Sequence, residues 1–163
     1  MILLLSSAAL GWEGLDAQVI ATDGKPVQLA SRWGKPTVLF YEDKDSGTLN
    51  QALKDALFRQ GAQQDALGAV TVIAVANVRE YDWFPARNFV VSAVKDSEKK
   101  VGIPVYLDWE GRLSRSPFNL RSTGSTVMVL DGQGRRRWSK TGALSPGEVT
   151  QVLALLGELV GTR

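Results

Sequence analysis

The stretch Thr37–Tyr41 constrains this chain more than any other. Gly34-Lys35-Pro36 opens it as a turn, and a continuous apolar run follows. Such a run belongs to a strand buried on both faces, so it has to sit centrally in a covered sheet. The neighbouring segments supply the cover. Val27–Leu29 alternates apolar and polar after the turn Asp23-Gly24-Lys25-Pro26. Leu49, Ala52, Leu53, Ala56 and Leu57 recur at the spacing of one helical face. Ala69–Ala76 is a second buried strand, rich in Val and Ile. Pro85 suits the first turn of another helix, with Ala86, Phe89, Val90, Ala93 and Val94 as its stripe. Pro104–Leu107 is a strand entering the turn Asp108-Trp109-Glu110-Gly111. Thr126–Leu130 and Arg135–Lys140 flank the hairpin signal Asp131-Gly132-Gln133-Gly134. Ser145-Pro146-Gly147-Glu148 combines a capping box with proline at the first helical position, and Val149, Val152, Leu153, Leu156 and Leu159 or Val160 form the core face beyond it. This order predicts an α/β fold with a mainly parallel central sheet, a C-terminal antiparallel hairpin and helices on both faces.

The 163 residues, 44% apolar and 22% charged, suit one globular domain, which we assign to 13–163. Met1–Leu10 is apolar and then small, like an export signal without its cationic lead; a bilayer span needs about 20 apolar residues. Residues 1–12 therefore read as a signal-peptide remnant or an N-terminal extension, with a periplasmic or exported protein expected and a cytoplasmic one as the alternative. The chain has no cysteine and no histidine. Thiol–disulfide exchange and peroxide reduction need a thiolate, and the commonest neutral-pH proton shuttle and metal ligand is missing as well. A non-catalytic protein is expected, with no cofactor, no metal and no catalytic residues.

Three segments carry a resemblance. GKPTVLFYEDKDSGTLNQAL is similar to the GKP turn, buried strand, CxxC loop and helix of thioredoxin-like redoxins. PVYLDWEGRL resembles their PVLLDPDG stretch, and GSTVMVLDGQGRRRW their cis-proline hairpin. The tail from Ser125 through the Leu-Ser-Pro-Gly-Glu helix start resembles the YtfJ-type periplasmic thioredoxin-like proteins most. The resemblance implies a thioredoxin-like fold over roughly residues 20–160. It also places Asp45 and Thr48 where the two redox cysteines would stand, Ser46 and Gly47 between them, and Ser125 where the cis-proline would be. A cis bond before a residue other than proline costs about 2.5–4 kcal/mol, so Ser125 is expected in trans. The scaffold carries over and the family's chemistry does not.

Three places remain as candidate sites. The loop Glu42–Thr48 ends the central strand, where open α/β sheets place ligands; Asp43, Asp45, Ser46 and Thr48 suit a polar or divalent-cation site, or simply a helix cap. Tyr81, Trp83 and Phe84, flanked by Arg79 and Arg87, suit either a partner anchor or packing over the sheet edge. Arg135, Arg137 and Trp138 lie in a basic stretch, seven cations against Asp131 between 112 and 140, which suits an anionic partner or a charge-protected edge strand. Trp138 alone makes no stacking platform, so nucleic acid is not expected. The composite expectation is a redox-inactive thioredoxin-fold binding module of the bacterial cell envelope with a protein partner, without a transmembrane span. A homodimer through edge strands is a further expectation. The rival is a metal- or phosphate-dependent hydrolase using Asp43 and Asp45.

Overall fold

The structure is a computed structural model that describes residues 14–64 and 68–161; the stretch 1–12 lies outside them. The chain runs through β1 (Gln18–Ala21), β2 (Pro26–Gln28), β3 (Thr37–Glu42), α1 (Gln51–Gln64), β4 (Thr71–Asn77), α2 (Ala86–Val101), β5 (Val105–Asp108), β6 (Thr126–Leu130), β7 (Arg136–Thr141) and α3 (Pro146–Gly161). Among these residues the strands form one sheet in the order β2-β1-β5-β4-β3-β6-β7. β3 is buried at every position, as its apolar run requires.

Two features of the expected architecture are corrected. The sheet is mixed rather than mainly parallel: only β3/β4 and β4/β5 pair in parallel, while β1/β2, β1/β5, β3/β6 and β6/β7 are antiparallel. The missed strand β1 folds back on β2 and then pairs with β5. The second correction concerns the helices, all three of which pack on one face. Val38 and Phe40 lie under α1 and α3, with Leu53, Leu57, Val152 and Leu156. Register places Glu42, Ala76, Leu107 and Ile20 in one row across the sheet, on that same face. Val90, Val91 and Val94 of α2 pack on this row. The opposite face, with Leu39, Tyr41, Ile73, Val75 and Met128, is covered by Leu15, Leu29, Leu113 and Leu120 from irregular segments and two short 3-10 turns.

Two helical stripes also differ from their expected form. Leu49 and Ala52 are exposed, because residues 44–50 form successive turns and α1 begins only at Gln51. Phe89 is 72% exposed, since α2 turns Val90, Val91 and Val94 toward the sheet instead. The capping box at Ser145 forms as read: the Glu148 carboxylate accepts from Ser145 N at 2.8 Å and Ser145 Oγ from Glu148 N at 3.2 Å.

The β6–β7 turn hangs on Asp131. Its carboxylate accepts from Gln133 N, Arg135 N and Arg135 Nε at 2.9–3.0 Å. Gly134 holds φ +78, and a Cβ there would sit 2.4 Å from the Trp33 ring, so only glycine fits. Burial pushes the Asp131 carboxyl up, but the Arg135 and Gln133 amides and the Arg135 guanidinium outweigh it and hold it below the usual range. Its stabilisation is therefore present above the unfolded carboxyl pKa, about 3.9, and is lost as pH falls through the lower folded value. Asp131→Asn should cost about 1–3 kcal/mol at neutral pH. Urea unfolding of the variant and the wild type should converge in strong acid.

Candidate functional site

Parallel β3, β4 and β5 end together, so the loops after Glu42, Asn77 and Asp108 meet at one edge of the sheet with the segment that enters β6. Glu42 is the last residue of β3, and alternation turns its side chain toward α1. Its Oε2 accepts from Lys54 Nζ at 2.8 Å and its Oε1 from Ser125 Oγ at 2.8 Å. Lys54 Nζ also donates to the Gly47 carbonyl at 2.8 Å and stands 4.9 Å from the Phe40 ring centre. An ammonium has three donors, and each is met by a carboxylate, a carbonyl or an aromatic face.

Asn50 completes the cluster. Its Nδ2 donates to Ser125 Oγ at 3.0 Å and to Gly142 O at 3.1 Å, while its Oδ1 accepts from Leu144 N at 2.9 Å. Glu42, Asn50, Lys54 and Ser125 are all buried, Ser125 completely. No buried side-chain nitrogen or oxygen among the described residues lacks a partner. Ser125 adopts φ +55, and its peptide bond is trans; the cis bonds among the described residues precede Pro85 and Pro117. The Ser125 proton faces a carboxylate, yet the hydroxyl is sealed from substrate and both of its bonds are used. The cluster ties the end of β3 to α1 and to the entry of β6.

The sequence-read loop wraps this plug. Asp45 and Thr48, which the resemblance aligns with the redox cysteines, are exposed, and Gly47 is half-buried. Ser46 is buried, with its Oγ accepting from Asp43 N at 2.9 Å and donating to Ser122 O at 2.6 Å. Asp43 Oδ1 takes the amides of Asp45 and Ser46 at 3.0 and 2.9 Å, a local turn rather than a ligand set. Among the described residues there is no group of three or more acidic side chains placed to hold a metal ion. Ser46 does not cap the helix, and Glu42 serves the ion pair rather than the helix dipole.

Sequence reasoning missed Glu42, Asn50 and Lys54 as a unit. The signal was present: Asn50, Lys54 and Leu57 share a helical stripe, which sets two polar residues on an apolar face opposite the one acid that ends β3.

In the segment after β4, Trp83 is 59% and Phe84 85% exposed, and Phe89 in the first turns of α2 is exposed as well. Tyr81 packs inward with Val78 and Trp109. Arg87 stacks on Trp109, 4.3 Å from the ring centre, and pairs with Asp82. The third group divides differently. Arg135 and Arg137 flank Asp131 at the opposite end of the sheet, and Trp138 is half-buried against the core under α3. No helix of the described residues is long and apolar enough to cross a membrane. On the opposite face, burial and then the neighbouring Asp108 carboxylate, 3.1 Å away, push the Tyr41 hydroxyl far above the phenol range.

The family described as "Bacterial protein of unknown function (YtfJ_HI0045)" matches residues 41–159. "Uncharacterized protein YtfJ" of Escherichia coli (strain K12) is 35% identical over 72 residues, 44% of this chain and 39% of that protein. The match thus spans well under half the length of that curated relative. Solved structures show the fold. A thioredoxin-like protein from Porphyromonas gingivalis has a TM-score of 0.65 at 22% identity, over 91% of this chain and 92% of that one. The exposed lipoprotein thioredoxin of Streptococcus pneumoniae strain TIGR4 has a TM-score of 0.60 at 20% identity, over 89% of this chain and 100% of that one. A thiol:disulfide interchange protein of Chlorobium tepidum TLS has a TM-score of 0.58 at 17% identity, over 91% of this chain and 95% of that one.

Lys54→Met strands the buried Glu42 carboxylate and should cost about 3–5 kcal/mol of unfolding free energy. Adding Glu42→Gln, which keeps an acceptor for Ser125 but removes the charge, should recover part of that loss. A double variant as unstable as the sum of the two single changes would show the pair to be uncoupled.

Proposed function

This chain belongs to the YtfJ_HI0045 family of bacterial proteins, and from that membership we propose that it is a redox-inactive thioredoxin-fold binding module of the cell envelope. The observation that carries the reading is the plug: a satisfied, buried Glu42–Lys54–Ser125–Asn50 network lies behind the loop in which the resemblance aligns Asp45 and Thr48 with the redox cysteines. No thiolate forms in a chain without cysteine. What the same edge offers instead is aromatic surface. Trp83, Phe84 and Phe89 are exposed within seven residues, the first two just before α2 and the third on it, and α2 has no fully buried residue of its own. Large apolar side chains left in water mark interaction sites. Arg79, Glu80, Asp82 and Arg87 balance one another in charge, which fits an apolar segment of a protein rather than a polyanion or an anionic lipid surface. Export is supported by the apolar character of Met1–Leu10 and by the exposed lipoprotein among the structural relatives. Nothing in the geometry favours the hydrolase reading, because the Asp43 carboxylate is spent on its own turn.

The test replaces Phe84 with a photoreactive phenylalanine and crosslinks the purified chain in an envelope extract. A protein recovered this way, once purified, should bind the wild-type chain and lose at least about tenfold in affinity against Phe84→Ala/Phe89→Ala. Crosslinks to a second copy of this chain or to lipid, or binding unmoved by the double substitution, would overturn the reading.

A further inference from the structure

A pocket of about 350 Å³ opens at the end of the sheet away from the plug. It lies between the turn before β3, the β6–β7 turn and the last turn of α3. Lys35, Arg135 and Arg137 line it, together with one acid, Asp131, and an apolar wall that includes Pro36 and Val160. Its volume falls at the lower end of the range for small-molecule sites, about 300–1,000 Å³.

We propose that this pocket binds a small phosphate-bearing molecule. Asp131 is buried and already committed to the turn, which leaves two positive charges in excess. A phosphate monoester carries about −1.5 to −2 at neutral pH and matches that excess. Arg135 is held in place by two bonds, Nε to Asp131 Oδ2 at 2.9 Å and Nη2 to Gln133 Oε1 at 3.2 Å, and neither uses Nη1. An anchored guanidinium loses little freedom when it takes an anion, and its planar fork suits phosphate oxygens. Arg137 stands 3.9 Å from Asp131, at the irregularity where β7 slips register against Val129 and Leu130. Arg135 and Arg137 thus both pair with the one carboxylate. The Lys35 ammonium has no ion-pair partner among the described residues, and its side chain is exposed at the rim. The last turn of α3 opposes an anion with about half a negative charge, less than the excess of two. Pro36 and Val160 give a carbon skeleton an apolar surface, which a bare ion would not need.

The site is independent of the aromatic surface at the other edge, so either reading stands if the other fails. The probes are glycerol 3-phosphate, inorganic phosphate and phosphatidylglycerol vesicles, titrated at low salt while the backbone amides of Gly34, Gly132 and Gln133 are followed by NMR. Glycerol 3-phosphate should shift these amides saturably and more tightly than inorganic phosphate. Lys35→Ala and Arg137→Ala should each weaken it about tenfold, and added salt should weaken it further. Lys35→Ala leaves the Asp131–Arg135 anchor untouched, Arg137→Ala removes only the 3.9 Å ion pair to Asp131 and none of the anchor's hydrogen bonds, and unshifted amides elsewhere would confirm that the variants are folded. Non-saturating shifts, binding retained in the Lys35→Ala/Arg137→Ala double variant, or binding to vesicles alone would overturn the proposal.

Discussion

Glu42 carries a negative charge at the end of a strand that is buried at every position, and that position imposes much of what surrounds it. Removing a carboxylate from water costs several kcal/mol unless close partners replace the lost hydration. Here the partners come from separate segments, Lys54 from α1 and Ser125 from the entry to β6, and Asn50, from the turn before α1, in turn donates to the Ser125 hydroxyl. Asn50 then reaches past the sheet to Gly142 and Leu144, just before α3. One charge thereby ties the central strand to both helices that cover it. Hydrogen bonds are directional, so this edge is fixed more tightly than apolar contact alone would achieve.

The arrangement also explains how a thioredoxin-like scaffold persists without its sulfur. A strand leading into a helix start leaves backbone groups and a partial positive charge at that edge, favourable for a thiolate. In this chain a carboxylate and an amide occupy the interior at that end of β3, and Asp45 and Thr48 of the following loop are exposed. The buried polar groups there satisfy one another, while Trp83, Phe84 and Phe89 around the start of α2 are left exposed.

The single-faced helical layer has a simple origin. The crossovers from β3 to β4 and from β4 to β5 both step in the same direction along the sheet. Right-handed connections stepping one way place their helices on one face. Alternating strands and helices were legible from the apolar periods, but the direction of each step was not, because it depends on which strands pair. The other face is closed by Leu15, Leu29, Leu113 and Leu120 from segments with no helical period at all. Asp108 organises part of that cover by accepting from the amides of Arg112 and Leu113.

What the sequence determined by itself was local: the buried run of β3, the capping box at Ser145, the Asp131 turn, and the impossibility of thiol chemistry. Each rests on neighbours within a few residues or on composition, so chain order suffices. Only the tertiary structure decided that Glu42, Lys54 and Ser125 form one cluster, that Leu49 and Phe89 face solvent, and that Lys35 joins Arg135 and Arg137. Glu42 meets a residue 12 positions away and another 83 away. Their meeting depends on strand order and register, and no local period encodes either.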